Sequence, residues 1–428
     1  MAVTPSNSVD GPGLPVQTTI AIVGADFGWG SSGKLSAIIT ALRARSPRPL
    51  RFVGLGSRLG RSLLAELGVD RWHDTGNDPV AAAEMAKAEG AAAALVVLEG
   101  TAAGALEVAG IPTVFVDSLP FLWTQADREA LPFHASVYCA QKCVQLSAAS
   151  RDILDSVKNL QWVEAVVAPG VTERPASSFG KKTTPSLQRA LVNFGGLQSP
   201  ALADWTSYPR AVLAPVLDAL ATYGMREVHI AGNLPPEFLV QVVPKYPQLE
   251  GQTVSCGPLG HREFLERLAA SDVLLTSPGL TTLLEAGALA TPVVCLPPQN
   301  LSQIFNGRFH SRATGAGARV RWPEHVLSED AVLADRTVSE EETLRVIYAG
   351  IASAAGDSGV RSAVRDQVLA ALRKAADGAD WAGLTAAVGQ FGAEQVADHM
   401  LALLDRDKPI RTSQTSHSAN QSRDARHD

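Results

Sequence analysis

Residues 272–308 read DVLLTSPGLTTLLEAGALATPVVCLPPQNLSQIFNGR, and the fold is decided in this stretch. A short apolar run, DVLLTS, stops at Pro278-Gly279. The helically spaced LTTLLEAGAL follows, then a second apolar run, PVVCLP, and then PQNLSQIFNGR, which opens another helix. Strand, turn, helix and strand at this spacing form a crossover unit, whose two strands lie parallel. The polar residues stand at strand ends and helix starts: Thr281 and Thr282 in a first helical turn, Glu285 about one turn on, and Gln299, Asn300 and Gln303 after the next strand. Free amides in a first turn can hold a diphosphate, and a carboxylate one turn further can accept ribose hydroxyls. Side-chain amides can bond the hydroxyls of a sugar. Taken singly, these residues read as helix caps and solvated surface; as an ordered set they read as a site.

The same alternation extends in both directions. TIAIVG, RFVGLG, AALVVLEG, PTVFVDS and AVVAP are strand candidates from Thr18 onward, and ALVNFGG, EVHIAG and QTVSCG precede the quoted stretch. Between the two series lies PGVTERPASSFGKKTTPSLQ, rich in Pro, Ser and Thr and without a helical or strand period. The expected architecture is α/β, with two Rossmann-like domains over 18–168 and 189–406 joined by a linker at 169–188 and facing across a cleft. After Val338 the pattern turns helical, opening with Ser339 and Glu342 in capping-box spacing, and these closing helices are expected to brace the lobes. Residues 1–17 and 407–428 are polar and unpatterned and read as disordered tails.

Of the 428 residues, 46% are hydrophobic and 19% charged, enough apolar material for two full cores without staples. The four cysteines, Cys139, Cys143, Cys256 and Cys295, have no paired spacing, so neither zinc nor disulfides are expected. A net charge of −6 without a basic block argues against nucleic acid or an anionic membrane as partner. No apolar run reaches the ~20 residues of a membrane helix, and the N-terminus has no leader pattern, so a cytoplasmic protein acting on small molecules is expected.

The first strand ends in GADFGWGSSGK, residues 24–34, directly before a helix. Gly28, Gly30 and Gly33 would let the backbone approach an anion, with the amides of Ser31, Ser32 and Gly33 and the ammonium of Lys34 beside it. A tight turn that needs glycine only for its geometry is the plain alternative. Gly28-x4-Gly33-Lys34 also matches most of a P-loop, but Leu35 stands where Ser or Thr would bind magnesium. For a general base, Asp26 in that loop, His134 in LPFHASVYC and Asp117 after TVFVD are candidates. Each also has a structural reading, as a turn-stabilising or core residue. Trp123, Phe121 and Phe133 could stack a planar base or simply pack the core. Asp405-Arg406-Asp407 ends the last helix and reads as solvated surface.

The C-terminal half resembles the GT-B glycosyltransferases, especially the peptidoglycan N-acetylglucosaminyltransferase and the UDP-glycosyltransferases. The residues that carry the likeness are Ala270-Ser271-Asp272, Ser277, Gly279, Thr282 and Glu285, followed by Gln299, Gln303 and Asn306. Phe194-Gly195-Gly196 matches the family's glycine turn, where the diphosphate is cradled, and its uracil loop would fall at Cys256, Gly257 and Leu259. The resemblance implies a GT-B fold and a UDP-sugar as donor substrate, with no separate cofactor and no metal. The family's His beside the N-terminal glycine loop is absent here. IAIVGADFGWGSSGKLSA is also similar to the first strand and loop of cytosylglucuronate synthases of nucleoside-antibiotic pathways. That likeness implies glucuronate transfer to N1 of cytosine or hydroxymethylcytosine, with Lys34, Arg58 or Arg308 holding the sugar carboxylate. A UDP-sugar epimerase of the same double fold and a P-loop-like, non-catalytic nucleotide-binding protein are the competing expectations.

Overall fold

A computed structural model describes residues 17–170, 187–196, 198–199, 201–234, 253–335 and 340–406. The expected linker (but for its ends), the two tails and Ser339 fall outside these residues. The first lobe holds seven parallel strands: β1 (Thr18–Gly24), β2 (Leu50–Gly56), β3 (Arg71–Asp74), β4 (Ala93–Val97), β5 (Thr113–Asp117), β6 (Val137–Gln141) and β7 (Leu160–Val163). Their order in the sheet is β3-β2-β1-β4-β5-β6-β7. In the second lobe β8 (Arg189–Asn193), β9 (Glu227–Ala231), β10 (Thr253–Gly257), β11 (Val273–Thr276) and β12 (Val293–Cys295) lie in the order β10-β9-β8-β11-β12. The chain therefore has two Rossmann-like lobes, as the alternation of apolar runs and helices requires.

Period-two packing explains why the strands read as continuous apolar runs. In β1, Ile20 and Ile22 enter one core and Ala21 and Val23 the other, so both sheet faces are buried. One assignment is corrected: AVVAP is not a strand. The edge strand β7 ends at Val163, and Ala165, Val166 and Val167 are buried as irregular chain beyond it. β3 and β7 are short edge strands of mixed polarity, RWHD and LQWV, which lack the run of apolar residues that marks the central strands.

The sheet order reverses between β1 and β4 in the first lobe and between β8 and β11 in the second. The loops at these two switch points face each other, which places a cleft between the lobes. The last helix, Gly392–Arg406, returns to the first lobe: Val396, Ala397 and Met400 join its core, and Arg45 pairs with Asp398 at 2.7 Å. Gly392 donates its amide to Ala165 O at 3.0 Å, so the closing helix is sutured to the end of the first sheet.

A Cβ at Gly392 would stand 2.1 Å from Glu164 O and 2.8 Å from the carbonyl carbon of Ala165, both backbone atoms that cannot swing aside. Gly392→Ala is expected to destabilise the first lobe by about 1–3 kcal/mol, read as a lower midpoint in thermal denaturation. An unchanged midpoint would mean that this helix is not clamped there.

Candidate functional site

The two switch-point loops interlock. Gly28 of the first lobe donates its amide to Gln198 O at 3.0 Å, and a Cβ on Gly28 would stand 2.7 Å from Gly196 O. Conversely, a Cβ on Gly196 would meet the Trp29 indole at 2.5 Å. Glycine is needed at both positions because two backbones approach within van der Waals contact. Gly195 adopts φ +66, and its amide is held by Asn193 Oδ1 at 3.0 Å.

Behind this contact lies a cavity of ≈ 250 Å³ lined from both lobes. Two helices point their N-termini at it. In helix Gly30–Arg45 the first intrahelical bond is Gly33 N to Trp29 O, which leaves the amides of Gly30, Ser31 and Ser32 without partners among the described residues; Gly33's own amide is used within the helix. In helix Leu280–Ala288 the amides of Leu280, Thr281 and Thr282 are equally free, since Leu283 N returns to Gly279 O. Neither helix has a side-chain cap or an acidic residue in its first turn. Thr281 Oγ1 lies 3.5 Å from Gly30 O, so the two helix starts adjoin. Each carries roughly half a positive charge, and together they form an uncompensated seat for an anion.

Glu285 stands deeper in the same cavity, 2% exposed, and accepts from His261 Nε2 at 2.6 Å. Gln299, Asn300 and Gln303 line the opposite wall. Asn300 Oδ1 caps helix Leu301–Thr314 through Gln303 N at 2.9 Å, Gln303 Oε1 accepts from Gln299 N at 3.1 Å, and Tyr348 donates to Gln299 Oε1 at 2.8 Å. With the side-chain oxygens engaged, the three amide nitrogens are left without partners among the described residues, as donors toward the cavity. Asn306 donates to Pro278 O at 3.0 Å, but its Oδ1 has no partner; the same holds for Ser118 Oγ, and both side chains are buried in the lining.

Lys34 also lines the cavity, 2% exposed, with a single hydrogen bond to Gln141 Oε1 at 3.3 Å. Burial lowers its pKa to about 8, against the field of Glu285. His261 is raised above its usual range: burial opposes its charge, but Glu285, by its field and hydrogen bond, outweighs burial and the opposing field of Lys34. Leu35, at the magnesium position of a P-loop, is packed in the hydrophobic core.

The sequence candidates divide. Gly28, Gly30, Ser31, Gly33, Lys34, Gly195, Gly196, Leu259, Gly279, Thr281, Thr282, Glu285, Gln299, Asn300 and Gln303 are brought together around the cavity. Cys256, Gly257 and Ser32 are not in its lining; Ser32 turns its hydroxyl toward Gly60. Asp26 is also outside it, accepting from Ser57 Oγ at 2.5 Å, and His134 is exposed on a turn. Asp117 is fully buried behind the lining residue Trp123, whose Nε1 donates to it at 2.6 Å; Tyr138 and the amide of Leu119 donate at 2.9 and 3.0 Å. Burial pushes it up to about 6 in spite of these bonds. Arg58 is exposed and faces Asp74, and Arg308 is paired with Glu329 and Asp330, so neither reaches the cavity. Phe121 packs on Phe305 and Phe309, Phe133 lies under Arg128, and Asp405 pairs with Arg48 on the surface. Sequence reasoning missed His261 and Ser118. A lone His opening an amphipathic helix carries no local signal, and its partners lie far along the chain.

The architecture matches known structures. A UDP-glucosyltransferase from Polygonum tinctorium capable of glucosylating indoxyl is similar at TM-score 0.53 and 15% identity, over 91% of this chain and 99% of that one. The S. aureus MnaA structure with UDP gives 0.53 at 12%, covering 92% and 99%. A putative UDP-N-acetylglucosamine 2-epimerase from Listeria monocytogenes gives 0.51 at 13%, covering 90% and 95%. No protein-family model and no curated protein sequence matches. At these identities the likeness establishes the fold, and the fold is GT-B: two Rossmann-like lobes facing across a cleft.

Burial lowers the Lys34 pKa to about 8 in the native protein, below the 10.5 of a lysine in water. The unfolded chain therefore binds more protons between these values, and stability should rise with pH across that window. At ~1.4 kcal/mol per pH unit the gain is about 3 kcal/mol. Denaturant unfolding of wild type and Lys34→Met between pH 7.5 and 10 should show this rise in the wild type only. Parallel curves would place Lys34 in water.

Proposed function

We propose that this protein is an inverting glycosyltransferase that moves a sugar from a UDP-sugar to a small acceptor. The observation that carries the reading is the pair of adjoining, uncapped helix N-termini above a buried carboxylate. A diphosphate on the free amides of the Leu280 helix places a nucleoside ribose one turn along, at Glu285. The Gln299, Asn300 and Gln303 amides are then donors for the sugar. As the bond to the sugar breaks, charge accumulates on the diphosphate oxygen, where the oriented amides stabilise it.

For the particular reaction, the reading takes glucuronate as the sugar and N1 of cytosine or hydroxymethylcytosine as the acceptor. Lys34 supports the acidic sugar, being the one of the three candidate cations that lines the cavity. Trp123, in the lining, suits stacking on a flat ring. Of the three candidate bases, Asp117 lies behind the lining residue Trp123, but it is fully buried with both oxygens engaged and does not reach the cavity, so proton removal is assigned to none of them. An epimerase acts on both faces of a sugar carbon with two acid–base groups. Among the described residues lining the cavity Glu285 is the one carboxylate, which favours transfer.

Calorimetry with UDP, UDP-glucose, UDP-N-acetylglucosamine and UDP-glucuronate, with and without cytosine, tests the reading. UDP should bind, and turnover should require an acceptor; consumption of UDP-sugar without one would favour the epimerase. Glu285→Ala is expected to weaken UDP binding ~10-fold or more, about the worth of a hydrogen bond to a charged group, with the fold intact by circular dichroism. Asp117→Asn should retain UDP affinity, since Asp117 lies outside the cavity lining. EDTA should leave the rate unchanged, and a rate restored only by a divalent ion would overturn the metal-free mechanism.

A further inference from the structure

The orientation of Glu285 is set from the opposite lobe. His261, the first residue of helix His261–Ala270, uses both ring nitrogens: Nε2 lies 2.6 Å from Glu285 Oε1, and Nδ1 lies 2.8 Å from Ser36 Oγ. Ser36 belongs to the Gly30 helix of the first lobe and is outside the cavity lining. All three side chains are buried, with Ser36 4%, His261 9% and Glu285 2% exposed. The chain Ser36–His261–Glu285 therefore crosses the boundary between the lobes, and it is the one hydrogen-bonded side-chain relay among the described residues that joins the first lobe to the candidate donor acid.

A carboxylate held at one oxygen has its rotamer fixed and the other oxygen left to accept. Here Oε1 is occupied by His261, Oε2 accepts no hydrogen bond among the described residues, and Glu285 lines the cavity. The imidazole is itself fixed only while its second nitrogen is held. If the lobes part, Ser36 moves away with the Gly30 helix, Nδ1 loses its partner, and the ring is free to turn.

We propose that His261 is a positioning residue that presents Glu285 to the nucleotide ribose only while Ser36 of the opposite lobe holds it, so that donor binding and lobe closure are one equilibrium. This rests on the reading of Glu285 as the ribose acceptor. By linkage, whatever favours closure tightens the donor by the same factor, and bound donor favours closure in return. A residue that touches no substrate thus contributes to donor affinity.

The test is calorimetry with UDP, together with steady-state kinetics, on Ser36→Ala, Ser36→Thr, His261→Ala and His261→Gln, each checked by thermal denaturation. Ser36→Ala should weaken UDP binding ~5-fold, with donor KM raised and acceptor KM unmoved. Ser36→Thr, which keeps the hydroxyl, should restore most of the loss. His261→Ala should lose more than His261→Gln, whose amide can still donate to Glu285. In a Glu285→Ala background, Ser36→Ala should have no further effect on UDP affinity, because the route by which it acts is gone. Wild-type affinity in Ser36→Ala and in both His261 variants would overturn the inference and leave the donor site standing. Failure of the wild type to bind UDP at all would overturn the donor reading and this one with it. If Ser36→Ala does not fold, the comparison of His261→Gln with His261→Ala decides.

Discussion

Two helix N-termini meet without a negative charge between them, and the rest of the site follows from that arrangement. Helix dipoles of like sign repel at their ends, and protein helices ordinarily offset that end charge with a capping side chain or an acidic residue in the first turn. Neither the Gly30 nor the Leu280 helix does so. Of the six amides without partners among the described residues, those of Gly30, Ser31, Leu280, Thr281 and Thr282 belong to the lining of one cavity with the ammonium of Lys34, and the nearest compensating charge, Glu285, is bound by His261 one turn below. Such an arrangement is strained electrostatically until an anion occupies the gap. On the proposed reading the occupant also reaches from the helix ends to Glu285, which a nucleoside diphosphate does and a lone phosphate does not.

What holds the helix ends together is packing. Gly28 and Gly196 let the two loops touch, Trp29 fills the space over Gly196, and the Gly392 helix carries the end of the chain back onto the first lobe. The last helix belongs to the second half in sequence and to the first half in space. The Ser36–His261 hydrogen bond is a further link between the two lobes. Cleft geometry and closure are thus parts of one structure.

The sheets were legible in the sequence because buried central strands are continuous apolar runs bounded by glycine, and TIAIVG, ALVNFGG and DVLLTS each lie where a strand is found. AVVAP misled because apolar residues under a packed helix look the same as a strand. β3 and β6 were missed for opposite reasons: RWHD is a half-exposed edge with no apolar pattern, and VYCAQ is buried but short and ends in Gln. The cavity-lining residues were legible because they sit at fixed offsets from strand ends, where local sequence sets local geometry. The candidate bases were not. Asp26 sits in the expected loop, yet its carboxylate turns to Ser57 on the neighbouring strand's loop, a choice made by contacts 31 residues away. His261 meets Ser36 across 225 residues, and no local pattern encodes that distance.

Lys34 shows how stability and function oppose one another here. A buried ammonium with one long hydrogen bond is a poor contributor to a resting fold, and its depressed pKa measures that cost. A methionine of similar length would pack in the same space without it. The charge is useful only to something that enters the cavity, since Glu285 is engaged by His261 and the nearest neutral acceptor, Gln141, also accepts from Val166 N. An anionic ligand would restore the proton affinity that burial removes, so its binding at pH above 8 should draw a proton from solvent. On the proposed reading, that coupling makes the buried lysine, rather than Arg58 and Arg308, which lie outside the lining, the group by which the cavity selects for negative charge.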